Sequence, residues 1–273
     1  MNLFPFGTFS VDVLLPKRSF LIKLKSELIN QTFIKEWEEF LEWLAIHTEV
    51  NSIYIEPEGS HFFQGLDEKE IKDFSPNQLQ QHLNRIQKII YTHFLLPQTI
   101  IMDLKEGAEG IGAEFSAGAD IRLARAGCKF KLNHLEKALV PSCGGIGILG
   151  ALLNKSLVWN WVMSSKNINH FELKNSGYIL DYYTTSNEDI KNELFDYALN
   201  IAPIARIQSK RSLLETIQNE MNRTLKFEQK YSHANLSLND WKKSIQNECP
   251  KKYCKAEELK KMLNEEVSSI SNQ

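Results

Sequence analysis

Three short glycine-containing segments carry the residues best placed for chemistry: Gln-Gly-Leu-Asp at 64–67, Gly-Ile-Gly-Ala-Glu at 110–114 and Cys-Gly-Gly-Ile-Gly at 143–147. Each precedes or opens a helix by pattern. A helix start exposes backbone N–H groups with no intrahelical partner, and these favour negative charge. Glu114 falls in the first turn of the helix expected over 111–118, and His134 follows the strand-like run Lys-Phe-Lys-Leu. Taken singly, the first reads as a carboxylate favoured by the helix dipole and the second as a polar residue at a strand end. Nucleotide chemistry fails on detail. No Gly-x-x-x-x-Gly-Lys-Ser/Thr occurs, and 110–115 puts Phe115 where a dinucleotide fingerprint needs its third glycine. No His/Cys set has metal-ligand spacing. The cysteines Cys128, Cys143, Cys249 and Cys254 form no Cys-x-x-Cys pair. No partner base for Cys143 is visible, so a nucleophilic role has no support.

The elements that must hold these segments alternate between strand and helix. Residues 9–15 and 20–24 read as a hairpin, 52–56, 100–102, 120–125, 129–132 and 178–184 as further strands. Phe33, Ile34, Trp37, Phe40, Leu41 and Leu44 recur at the helical period over 31–47, and Leu79, Leu83, Ile86 and Ile90 over 78–95. Shorter helices are expected at 154–165 and 169–175, the latter stopped by Gly177. The stretch 106–120 is rich in small residues, so another backbone or a ligand can come close. From 188 onward the chain reads as polar helix, with a boundary near 200. This order predicts an α/β layout, a sheet packed between crossover helices. The expected organisation is a core over 1–200 and a C-terminal helical region over 201–273.

Composition narrows the function class. Among 273 residues, 32 Lys and Arg against 34 Asp and Glu leave a net charge of −2, which argues against coating nucleic acid or an acidic membrane. Apolar residues at 42% and charged residues at 24% are an ordinary globular mix, which excludes low-complexity disorder. No apolar run reaches the roughly 18 residues of a membrane span. The N-terminus lacks a basic start followed by a long apolar stretch, so the expected location is the cytoplasm, with free thiols.

The order of segments from strand 52–56 onward resembles the crotonase superfamily, the enoyl-CoA hydratase/isomerase group. The matching residues are Phe62, Gly65 and Asp67; Gly110, Gly112 and Glu114; Asp120, Arg122 and Ala124; Phe130; and Pro141, Gly144 and Gly145. Spacings agree without a gap from Gly110 to Gly145, and the likeness covers about residues 8–230. The resemblance implies a spiral of β-β-α units with a C-terminal helical region used in trimerisation, as a homotrimer or dimer of trimers. It also implies an acyl thioester, carried by coenzyme A or an acyl-carrier protein, as substrate, with no tightly bound cofactor or metal.

In that family two backbone N–H groups stabilise the enolate oxygen of the thioester. By the match these belong to Leu66 and Ile111. Of the two glutamates of the hydratase branch, the first falls on Glu114 and the second on His134. One carboxylate and one imidazole therefore stand where two carboxylates are usual. The resemblance implies Glu114 as the general base and His134 as its acid/base partner or an orienting group, since a histidine titrates at about pH 6.5 and can do either job. The resemblance thus implies enoyl-thioester isomerisation or hydration. Decarboxylation, thioester hydrolysis and a non-catalytic assembly role on the same fold are the alternatives. It further places Lys23, Leu24, Gln64, Gly65, Leu66, Asp67 and Lys210 along the carrier. Lys23, Lys25 and Lys210 would offset Glu106, Glu109 and Glu114 near an anionic carrier.

Overall fold

The computed structural model describes residues 4–14, 18–184 and 202–246, together with Asp189 and Glu193. The expected hairpin forms as β1 (Phe9–Leu14) and β2 (Ser19–Leu24), paired antiparallel with Phe9 opposite Leu24. Helix α1 (Gln31–Ile46) begins at Asn30, whose side chain accepts from the Phe33 N–H, and buries all six residues of the predicted stripe. Strand β3 (Ser52–Pro57) follows, then a short α2 (Glu68–Ile71). Helix α3 (Pro76–Leu95) starts in a capping box between Ser75 and Gln78, with Pro76 in its first turn, where a missing N–H costs nothing.

The spiral follows. Strands β4 (Thr99–Asp103) and β5 (Gly107–Glu109) lead into α4 (Ile111–Ser116); β6 (Ile121–Arg125) and β7 (Lys129–Lys131) lead to α5 (Gly147–Leu152) and α6 (Lys155–Ser164). Strand β8 (Ile168–Asn169), α7 (His170–Asn175) and β9 (Asp181–Tyr183) complete it. Each turn feeds one strand to a six-stranded sheet of order β1-β2-β3-β4-β6-β9 and one to a three-stranded sheet of order β5-β7-β8. Beyond the hairpin, the larger sheet is parallel.

Strands β5 and β8 lie inside stretches read from sequence as loop or helix start. At three and two residues they are too short to show a period. The strand expected over 178–184 is confined to its end, because Tyr178 and Ile179 turn into the core. The core beneath α1 is aromatic, with Phe9, Phe33, Trp37, Phe40, Phe63 and Phe115 in mutual ring contact.

The expected boundary near 200 lies outside the described residues. Beyond it, α8 (Pro203–Leu236) runs back along α3 and α5 and buries Leu214, Met221, Leu225 and Glu228. A final short helix, α9 (Asp240–Ile245), packs against a single 3₁₀ turn at Leu135–Lys137. The rest of the C-terminal region, 247–273, lies outside the described residues.

Candidate active site

The two proposed donors come from different elements. Ile29 N–H bonds to the Gly65 carbonyl, and the Asp67 N–H bonds to the Ile29 carbonyl. Leu66 lies between these two bonds, at the start of α2, which Asp67 caps. Ile111 is the first residue of α4, preceded by Gly110 at φ +53° and ψ −125°. A side chain on Gly110 would also meet Asn133 Oδ1 at 2.6 Å, so glycine is required there on two counts. Among the described residues, neither the Leu66 nor the Ile111 N–H has a hydrogen-bond acceptor. Both residues line one cavity.

Glu114 and His134 are in contact. His134 Nε2 lies 2.9 Å from Glu114 Oε2, and the two residues are 2% and 0% exposed. The other carboxylate oxygen, Oε1, accepts from the N–H groups of Cys143 at 3.0 Å and Gly145 at 2.7 Å. A Cβ on residue 145 would come within 2.7 Å of that oxygen and 2.9 Å of Pro141 Cβ, so Gly145 is what lets the loop close on the carboxylate. A carboxylate can only accept, so Nε2 carries the hydrogen in the neutral imidazole and Nδ1 keeps a free lone pair. Nδ1 is buried and has no hydrogen-bond partner. His134 lines the cavity with Leu66, Ile111, Asn133, Lys137 and Trp241, whereas Glu114 does not. The imidazole stands between the cavity and the carboxylate.

The void is small, ≈ 30 Å³, which is room for about two waters. Trp241, Ser244 and Ile245 of α9 form one side of it, and Trp241 is 1% exposed. At the rim, Lys137 Nζ lies 2.8 Å from Glu68 Oε1. Cys143 offers no nucleophile: burial first, then Glu114 and Glu228, push its thiol well above the ordinary range.

Of the residues expected along a carrier, Gly65 and Leu66 line the cavity. Gln64 directs its amide to the carbonyls of Phe62 and Gly107, and Asp67 is engaged in capping α2. Leu24 is buried, its carbonyl taking the Glu58 N–H. Lys23 pairs with Asp12 at 3.6 Å, and Lys25 reaches the Phe6 carbonyl. Lys210, expected along the carrier, is engaged within the fold. Its ammonium donates to the carbonyls of His93 (2.9 Å) and Gln98 (3.0 Å) and to Asp120 Oδ2 (2.7 Å), which uses all three protons. The acidic crowding read from sequence is also relieved, since Glu106 pairs with Arg125 at 3.2 Å and Glu109 accepts from Asn133 Nδ2 at 2.9 Å.

Four residues of this neighbourhood escaped the sequence reading: Asn133, Lys137, Trp241 and Glu228. Lys137 follows His134 by three positions, a spacing that would place both on one side of a helical turn. Glu228 gave no signal, as one carboxylate among many on a polar helix. It is 2% exposed and accepts from the N–H groups of Gly144 (2.9 Å), Ile146 (2.7 Å) and Gly147 (2.7 Å). Burial, and next the Glu114 charge, push its carboxyl group up to about 8 against the pull of those amides.

This geometry agrees with comparison to known proteins. The family model described as enoyl-CoA hydratase/isomerase matches residues 21–257. The chain belongs to this family. Among curated relatives of the enoyl-CoA hydratase/isomerase family, YngF of Bacillus subtilis is 20% identical over 222 residues, covering 80% of this chain and 85% of that one. An enoyl-CoA hydratase/isomerase structure from Mycobacterium paratuberculosis superposes with a TM-score of 0.80 at 14% identity, covering 89% of this chain and 100% of that one. An enoyl-CoA hydratase structure from Bacillus anthracis gives 0.73 at 21% identity, covering 87% and 96%. This enoyl-CoA hydratase/isomerase family member therefore has the crotonase fold, and no described helix is long and apolar enough to cross a membrane.

Proposed function

We propose that the protein acts on an enoyl or acyl thioester of coenzyme A or an acyl-carrier protein, moving a proton at the carbon beside the carbonyl. The Glu114–His134 pair beside two unengaged amides carries this reading. The thioester oxygen sits between the Leu66 and Ile111 N–H groups, which stabilise the negative charge of the enolate. His134 Nδ1 takes the α-proton, and Glu114 holds the imidazole in the required tautomer and stabilises its charged form. The acid/base capacity of Glu114 thus reaches the substrate through His134.

One proton carrier suits double-bond migration, in which a proton leaves one carbon and returns to another. Hydration in the two-glutamate form needs a second carboxylate, and the imidazole occupies that place. Decarboxylation and thioester hydrolysis are the alternatives within the fold. Lys137 at the rim is the cation best placed for an anionic carrier. We further propose a cytoplasmic homotrimer or dimer of trimers; Leu213, Phe227 and Tyr231, exposed along α8, support self-association.

The test is direct. Isothermal titration with acetyl-CoA and crotonyl-CoA is combined with loss of the enoyl absorbance. Binding and turnover that fall together in E114Q and H134A uphold the proposal. No binding to any thioester, on either carrier, favours the non-catalytic assembly reading.

A further inference from the structure

The loop 141–147 is gripped from both sides by buried carboxyl groups. On one side, Glu114 Oε1 takes the N–H groups of Cys143 and Gly145. On the other, Glu228 takes those of Gly144, through Oε2, and of Ile146 and Gly147, through Oε1. From 143 to 146, successive amides therefore point alternately to the two groups. Glu228 comes from α8, far along the chain from the loop. The same helix is tied in by Gln87, whose amide donates to the carbonyls of Ser142 and Leu225. Among the described residues, Glu228 forms no ion pair with a lysine or arginine. Its two oxygens are met by backbone amides.

A loop whose peptide planes alternate in this way needs both acceptors. Without Glu228, three amides, those of Gly144 and Gly147 buried and that of Ile146 partly so, lose their partner, and the planes are free to rotate toward other acceptors. Rotation would take the Cys143 and Gly145 N–H groups away from Glu114. That carboxylate would then lose the fixed position from which Oε2 meets His134. Glu228 is itself buried and absent from the cavity lining, so it touches no substrate.

We propose that Glu228 is a positioning residue for the reacting pair: it locks the 143–147 backbone from behind, so that Glu114 is held where it orients His134. This rests on the reading of Glu114 and His134 as the reacting pair, and it assigns the C-terminal helix a part in the geometry of a site to which it contributes no reacting atom.

The experiment compares wild type, E228Q, E228D and M221A. Met221 is a buried packing residue of the same helix and controls for a merely structural loss. Two readouts are taken on each folded protein: the downfield proton resonance of the His134 Nε2–H, and kcat and KM with the best thioester substrate. Glutamine can accept at Oε1 but sets its own N–H groups against that of Gly144. The expected result in E228Q is a shifted or broadened His134 resonance and kcat lowered about 10- to 100-fold, with KM within a few-fold. M221A lowers the unfolding midpoint and moves neither readout. If E228Q does not fold, E228D carries the test, being too short to hold all three amides. A folded E228Q or E228D with the wild-type resonance and wild-type kcat overturns the proposal. If wild type turns over no thioester, the proposed function falls, and the resonance alone decides the role of Glu228.

Discussion

Two buried histidines divide the chemistry of this molecule. His134 and His93 are both nearly inaccessible, and each has one ring nitrogen bonded and Nδ1 without a partner. Their partners differ in kind. His93 Nε2 accepts from the Trp37 indole N–H at 3.0 Å, which leaves its hydrogen on Nδ1. It sits among Trp37 and Phe115, beside the Lys210 ammonium, and burial pushes it down to about 3. His134 faces a carboxylate, which puts its hydrogen on Nε2 and leaves a lone pair on Nδ1, and the residue lines a cavity. A donor partner and a packed aromatic shell make an inert imidazole. An acceptor partner and a void make one suited to take a proton.

The largest effect that would break this contrast is on turnover. H134A and E114Q are expected to lower kcat/KM for the best thioester about 10²- to 10⁴-fold, whereas H93A, measured per folded molecule, stays within a few-fold of wild type. A comparable loss in all three would erase the distinction.

Stability should show the reverse order. H93A opens a hole in the aromatic core and strands the Trp37 indole, and is expected to cost about 2–4 kcal/mol in urea unfolding. H134A borders an existing void and should cost less than half as much.

The motif spacing from Gly110 to Gly145 located Glu114 and His134, and the structure brings them to 2.9 Å. The helices α1 and α3 were legible because their apolar stripes are long and cleanly capped. Their mutual roles were not legible, because the order cavity, imidazole, carboxylate depends on packing. Nor could the surroundings of Lys210 be read: a lysine in a polar helix gives no hint that the His93 carbonyl of α3, the Gln98 carbonyl just before β4 and Asp120 just before β6 surround its ammonium. Trp241 and Glu228 reach the site through tertiary packing of α8 and α9, and pattern carries no information about that.

Trp241 offers a sharper view of the cavity side of the contrast. W241A removes the wall beside His134 and is expected to raise the preference for longer over shorter acyl chains by about 10-fold in relative kcat/KM. An unchanged preference would mean that the acyl chain leaves the cavity by another face.

The smallest effect is on acid stability. His82, held at about 4 by burial and then by Arg85, belongs with His93 on the inert side. A depressed folded-state value contributes stability that is present above about pH 6.5 and lost as pH falls through the folded-state value. Urea midpoints should therefore decline from pH 6.5 toward pH 4, and H82F, which has nothing to protonate, should decline less steeply. Equal slopes would place His82 outside this account.

The most direct test of the central claim is exchange of the α-protons of butyryl-CoA for deuterium in D₂O, followed by NMR. It reports proton removal beside the thioester carbonyl without requiring the final product to be known. The account predicts enzyme-dependent exchange in wild type that is abolished in H134A, nearly abolished in E114Q and retained in H93A. Exchange at the wild-type rate in H134A would contradict it.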